Sequence, residues 1–201
     1  MSALSRSAPV NQKIRINLLR AAFLCAIPLM VLTRSAWPDE MQEGLEILGL
    51  AFVIAGVLGR FWAMLYIGGH KNSMVMQDGP YSICRHPLYL FSTMGVLGLG
   101  LMLGSLVLTL VLGLLTFAIL SITARKEEGY LRHSFGPAYD DYAARVPMIL
   151  PRLSGFRTAP MIEVSVAHLR TNLMDALVFL LFIPFAELLR EVVHIGAFRI
   201  W

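Results

Sequence analysis

Two short runs of the chain hold residue types that can do chemistry. The first is Gly79-Pro80-Tyr81-Ser82-Ile83-Cys84-Arg85-His86-Pro87-Leu88-Tyr89. Asp78-Gly79-Pro80 reads as a turn, and Pro87 suits the first turn of a helix, where its missing N–H costs nothing. The open N–H groups of such a turn favour an anionic group such as a carboxylate. Arg85 and His86 add donors beside it, and Tyr81 and Tyr89 add flat faces and hydroxyls. The second run is Arg125-Lys126-Glu127-Glu128. Adjacent carboxylates at an apolar–polar boundary suit a cation: an amine, a sulfonium or a metal. Taken singly, each run has a plainer reading. The first resembles ordinary anchoring at a membrane interface. The second resembles a solvated helix end paired with Arg125, Lys126 and Arg132.

The stretch between the two runs must position them. From Pro87 to Ala124 there is no Asp, Glu, Lys or Arg. At ~1.5 Å per residue this is too long for one crossing of a ~30 Å hydrocarbon core. It fits two helices joined by a tight turn, which Gly98, Gly100 and Gly104 mark. Antiparallel helices of similar length bring their outer ends back to one level. Arg85–Tyr89 and Arg125–Glu128 are therefore expected to be neighbours, with donors for an anion beside acceptors for a cation. A zwitterionic amino acid has both needs.

Composition agrees with a membrane setting. Of 201 residues, 57% are hydrophobic and 15% charged, with a mean hydropathy of +0.67. An ordinary soluble domain needs more polar surface. The expected fold is all-α: one polytopic integral membrane domain over residues 1–201, with about five spans, a helical hairpin and a cytoplasmic amphipathic helix. The spans fall near 14–33, 45–68, 87–101 and 104–124. A weaker apolar segment at 173–195 crosses or lies in the interface. The first span lacks a small-residue cleavage site and reads as retained.

The side holding the N-terminus, the 69–86 loop and the 125–172 region carries 14 of the 17 Lys and Arg, counting Arg60. That bias places it in the cytoplasm, as in a bacterial inner membrane with the site facing inward. The net charge of +4 needs no nucleic acid; basic loops beside anionic lipid account for it. Cys25 and Cys84 lack metal-ligand spacing and read as reduced thiols. His133, His168 and His194 make no i,i+4 pair, so no metal is expected.

The two runs, in this order across a hairpin, resemble the isoprenylcysteine carboxyl methyltransferase family and its phospholipid methyltransferase relatives. That family shows G-x-Y-x-x-x-R-H-P-x-Y. Later come E-E, then F-G seven residues on, two spaced tyrosines and V-P. Here these are Glu127-Glu128, Phe135-Gly136, Tyr139, Tyr142 and Val146-Pro147. The resemblance covers roughly 56–152, a methyltransferase-like core. It implies S-adenosylmethionine as cofactor and a lipophilic acceptor, either an isoprenylcysteine-type carboxylate or a lipid amine. It also implies that Tyr81, Arg85, His86, Pro87, Leu88, Tyr89 and Glu127 line the cofactor. Ser73–Met76 matches a cofactor-contacting loop more loosely. The catalytic candidates are Glu127, Glu128 and Arg125. A carboxylate nucleophile needs no base, whereas an amine must be delivered neutral, and Glu128 could take its proton. The family's carboxyl methyltransferases carry a substrate arginine one turn before the first glutamate; here Thr123 stands there.

Two other classes fit the gross pattern. A membrane reductase using NAD(P)H would need a basic site for nucleotide phosphate, and only Arg85, Lys71 and Arg125 are obvious. A membrane scaffold or transporter subunit would need neither R-H-P-x-Y nor the paired glutamates. Arg60, inside an apolar run, either snorkels to the boundary beside Trp62 and Tyr66 or contacts substrate or cofactor. His70 and Lys71 read as interface or as a loop at the cofactor mouth. Phe135, Tyr139 and Tyr142 have the spacing of one packed helix face.

Overall fold

Pro38 starts the first described helix, accepting from the amides of Met41 and Gln42 through its carbonyl. Acidic residues follow at once, where the helix dipole favours them. The computed structural model describes residues 37–69 and 73–170, with Leu180, Pro184 and Leu188 beyond them. Five α-helices have both ends in this region: α1 (Asp39–Ile67), α2 (Pro80–Ile83), α3 (Pro87–Met102), α4 (Leu106–Phe135) and α5 (Pro137–Arg145); residues 166–170 are also helical. A single 3₁₀ turn, Leu153–Gly155, follows. The described residues contain no strand.

α1 and α4 are long and apolar enough to cross a membrane. Large apolar side chains stay exposed along both, among them Ile47, Ile54 and Leu58 on α1 and Val107, Leu110 and Leu114 on α4. Such faces suit lipid rather than water. α3 is apolar but has only 16 residues, or ~24 Å of rise against a ~30 Å core. The expected spans at 14–33 and 173–195 fall outside the described residues, apart from Leu180, Pro184 and Leu188. Of these, Leu180 packs on Val53, Leu99 and Met102. The expected span at 45–68 begins earlier, because Pro38 and the acids after it form a helix start and extend α1 to Asp39.

The 87–124 hairpin is present, with one correction. Only Gly104 lies in its turn, between α3 and α4. Gly98 and Gly100 sit inside α3, where they allow close packing. A Cβ on Gly98 would lie 2.5 Å from the Gly49 carbonyl oxygen on α1, and one on Gly49 would lie 2.6 Å from that of Gly98. The small residues let the two backbones touch, the usual device for helices in lipid. α3 thus runs antiparallel to both α1 and α4. Ser105 caps α4 by accepting from the Leu108 amide at 3.2 Å, as a good N-cap residue does.

At the polar end, α4 continues through Glu127-Glu128 to Phe135. Gly136 and Pro137 then break the chain into α5. Phe135 therefore ends α4, whereas Tyr139 and Tyr142 belong to α5. The three do not share one continuous helix face, but they still gather around Val146 with Val75 and Leu131. The basis is the break itself, which folds α5 back onto the end of α4.

Gly98→Leu is expected to overpack the α1–α3 contact and destabilise the fold by about 1–3 kcal/mol. Thermal unfolding in detergent should show a lower Tm. Gly44→Ala, where nothing lies within 4 Å, should leave Tm equal or slightly raised, since alanine favours helix.

Candidate active site

The segment 79–86 owes its shape to a turn that needs glycine. Gly79 holds φ +58° with the Tyr66 ring packed where a Cβ would stand, 2.3 Å from its nearest atom. Ser82 Oγ donates to the Gly79 carbonyl at 2.6 Å. Pro80 and Pro87 each occupy a first helical turn, so α2 and α3 start where no N–H is required.

A strap after α5 then clasps this segment through the backbone. The Arg85 amide donates to the Pro147 carbonyl at 2.9 Å, and the His86 amide donates to Met148 at 3.0 Å. The Arg152 amide donates to Ile83 at 3.0 Å, and the Gly79 amide donates to Arg157 at 2.8 Å. From α5, Tyr142 Oη donates to the Tyr81 carbonyl at 2.7 Å, in the interior. The sequence offers Tyr142 only as part of a packed helix face and gives the strap no role. The only signal was the V-P and spaced tyrosines of the family pattern.

The expected neighbours do meet. Arg85 Nε lies 2.9 Å from Glu128 Oε1, and His86 Nε2 lies 3.3 Å from the same oxygen. Arg85 Nη1 also donates to the Ala143 carbonyl at 2.7 Å. Tyr89 Oη donates to Glu127 Oε2 at 2.7 Å, and His86 Nδ1 stands 3.9 Å from that oxygen. The His86 and Tyr89 rings stack nearly parallel, 4° apart in plane with centroids at 5.3 Å. Donors and acceptors that the sequence offered to a zwitterion thus engage each other across the α3–α4 junction.

The two carboxylates differ in setting. Glu128 keeps only 10% side-chain exposure and is tied by Arg85 and His86. Glu127 keeps 22% and holds the outer position with Tyr89. Tyr81 is buried against Ala63 and Tyr66, with Leu88 packed beside them; Pro87 is also buried. Arg125 is exposed. It sits about 200° round the helix from Glu127 at ~100° per residue and forms no ion pair among the described residues. Thr123 is buried, and its hydroxyl donates to the Ile119 carbonyl at 2.8 Å. Arg60 Nη1 donates to Ser92 Oγ on α3. Ser73 and Met74 are exposed near the segment's start, and His70 and Lys71 lie outside the described residues. Cys84 is a free, buried thiol, and burial pushes its pKa up to about 12. It therefore stays neutral at ordinary pH.

A family model of phospholipid methyltransferases matches residues 45–138. The nickel-cobalt-cadmium resistance protein NccN of Alcaligenes xylosoxydans is 36% identical over 167 residues, 83% of this chain and 78% of its own length. The cobalt-zinc-cadmium resistance protein CzcN of Cupriavidus metallidurans is also 36% identical, with 83% and 77% covered. A protein-S-isoprenylcysteine O-methyltransferase of Schizosaccharomyces pombe is 34% identical over 82 residues, 41% of this chain and 35% of its own. No solved structure matches.

Removing one partner of a buried pair leaves an uncompensated charge, at a cost of about 3–5 kcal/mol. Arg85→Met should therefore lower Tm markedly in detergent. The double change Arg85→Met with Glu128→Leu should recover most of the loss, because neither charge then remains. A double variant no more stable than Arg85→Met would show that the pair does not carry this junction.

Proposed function

The chain belongs to the isoprenylcysteine carboxyl methyltransferase and phospholipid methyltransferase family of membrane enzymes, and we propose that it moves a methyl group from S-adenosylmethionine to a lipophilic acceptor at the cytoplasmic face of a bacterial inner membrane. The observation that carries this reading is the junction of His86, Tyr89 and Glu127 at the polar end of the α3–α4 hairpin.

The donor set fits that cofactor. Glu127 offers a partly exposed carboxylate to an ammonium or sulfonium. The stacked His86 and Tyr89 rings offer a flat face, and cations are drawn to such rings. Tyr81 and Pro87 are buried close to these rings in the chain, and Leu88 packs against the Tyr81 cluster. S-adenosylmethionine supplies an electrophilic methyl, so the protein's task is alignment more than activation. Bound there, the cofactor would present its methyl to the acceptor's lone pair, with the carbon–sulfur electrons left on sulfur. Glu127 would contact its positive group. Arg85 and Glu128 act as positioning residues, since each is engaged by the other. Arg125, on the exposed face, serves the lipid or solvent side rather than the reacting atoms.

The acceptor remains a lipophilic carboxylate or amine. Thr123 keeps its hydroxyl on the helix backbone and offers no substitute for a substrate arginine, which favours an acceptor other than a prenylated protein terminus. The broader match to the two metal-resistance proteins supports a role for this chain in tolerance to nickel, cobalt, zinc or cadmium, exercised through methylation of a membrane component.

His86→Ala and Glu127→Ala should each lower S-adenosylmethionine affinity by about tenfold or more, by loss of a charge-assisted contact. Isothermal titration of the detergent-purified protein reads this, with circular dichroism confirming the fold. Affinity unchanged by both substitutions would sink the proposal. Incubating membranes with methyl-labelled cofactor and then adding base separates the acceptors. Volatile methanol signals an ester, and base-stable label in lipid signals N-methylation.

A further inference from the structure

Beside the strap that clasps the site, the end of α5 and the loop before α2 join it in an arrangement with no part in the chemistry above. Gln77 Oε1 accepts from Arg145 Nη2 at 3.1 Å and from Arg157 Nη2 at 3.0 Å. A third guanidinium, that of Arg152, donates to the Arg145 carbonyl. Two guanidinium nitrogens therefore share one neutral oxygen and lie at most about 6 Å apart, where like charges repel. No carboxylate among the described residues forms an ion pair with any of the three. All three arginines are exposed. Exposed guanidinium groups held this close suit an anion, and paired forks suit phosphate geometry.

The same strap bears an apolar face. Leu150, Leu153 and Phe156 are exposed, with Arg152 and Arg157 adjacent to Leu153 and Phe156 in the chain. Its depth is marked by α1. The Phe156 ring lies against Trp62, centroids 6.0 Å apart, and Thr158 Oγ1 hydrogen-bonds Tyr66 Oη at 2.8 Å. Tryptophan and tyrosine near the end of a membrane-crossing helix mark the headgroup level. An apolar face and a basic cluster thus meet at that level.

We propose that Arg145, Arg152 and Arg157 form a binding site for the phosphate of an anionic phospholipid, with Leu150, Leu153 and Phe156 seated among its acyl chains. Charge complementarity selects the anionic headgroup over a zwitterionic one, and the apolar face selects a lipid over a soluble phosphate. The site is separate from the Glu127 junction and does not depend on the methyl-transfer reading.

Native mass spectrometry of the full chain in detergent, mixed with equal phosphatidylglycerol and phosphatidylcholine, tests it. The wild type should retain phosphatidylglycerol preferentially. The triple variant R145Q/R152Q/R157Q should lose about tenfold or more of that retention, as each basic group near an anionic surface strengthens binding about fivefold. Leu153→Ser, which touches no charge, should weaken retention of the same lipid. Circular dichroism melting checks that each variant folds, and single changes R145Q and R157Q replace the triple variant should it not. Equal preference in wild type and the variants would overturn the proposal. So would displacement of the lipid by soluble glycerol phosphate at comparable concentration, since the ligand would then be free phosphate.

Discussion

Everything at the polar end depends on a charge that cannot stand alone. Arg85 is largely buried, and a buried guanidinium costs several kcal/mol unless an anion and further acceptors meet it. Glu128 and the Ala143 carbonyl meet it. The requirement sets geometry far from the pair. Arg85 must reach Glu128 across 42 residues of chain, so α3 and α4 must return to one level. For that, Gly104 must turn the chain sharply, and Gly98 must let α3 lie flush on α1. The glycines and the ion pair are opposite ends of one constraint. Lipid supplies little drive for helices to associate, so close backbone packing at one end and the buried Arg85–Glu128 ion pair at the other together fix the hairpin's register.

That constraint also divides two residues that look alike in the sequence. Glu127 and Glu128 differ by ~100° around α4. The inner one, Glu128, falls against Arg85 and His86. The outer one falls against Tyr89 and stays more exposed. A pair of adjacent acids on a helix is thus one tie and one open carboxylate, rather than two equivalent groups. His86 stands between them, each ring nitrogen near a different glutamate.

The hairpin and the meeting of its ends were legible because they follow from length and from charge-free composition. Pro87–Ala124 permits little else in a membrane. What the residues could not reveal was who would partner whom. Arg85 read as a donor to a ligand carboxylate, yet it faces Glu128, because the nearest buried anion belongs to the chain itself. Gly98 and Gly100 read as turn residues, since glycine marks turns and tight helix packing with the same letter. Only contact with Gly49 and Thr109 distinguishes them. The helix start at Asp39 was obscured because Asp39, Glu40 and Glu43 precede the apolar run expected at 45–68, although a helix N-terminus attracts such acids.

The strap was harder still to read, for a reason that also gives it importance. Its hold on the site is made by four backbone hydrogen bonds between 79–86 and 147–157, which any side chain could flank. Sequence shows only Val146-Pro147 and the arginines beyond. Yet these bonds fix the positions of Arg85 and His86 directly, since their own amides are the donors. Anything that displaces Pro147 or Met148 must therefore move the Glu127 junction as well. The outer face of the same element carries exposed leucines and arginines beside Trp62 and Tyr66. The surroundings of that face and the geometry of the junction are thus joined through rigid backbone rather than through a chain of adjustable side chains. A site built in this way is set as much by the boundary it rests on as by the residues that line it.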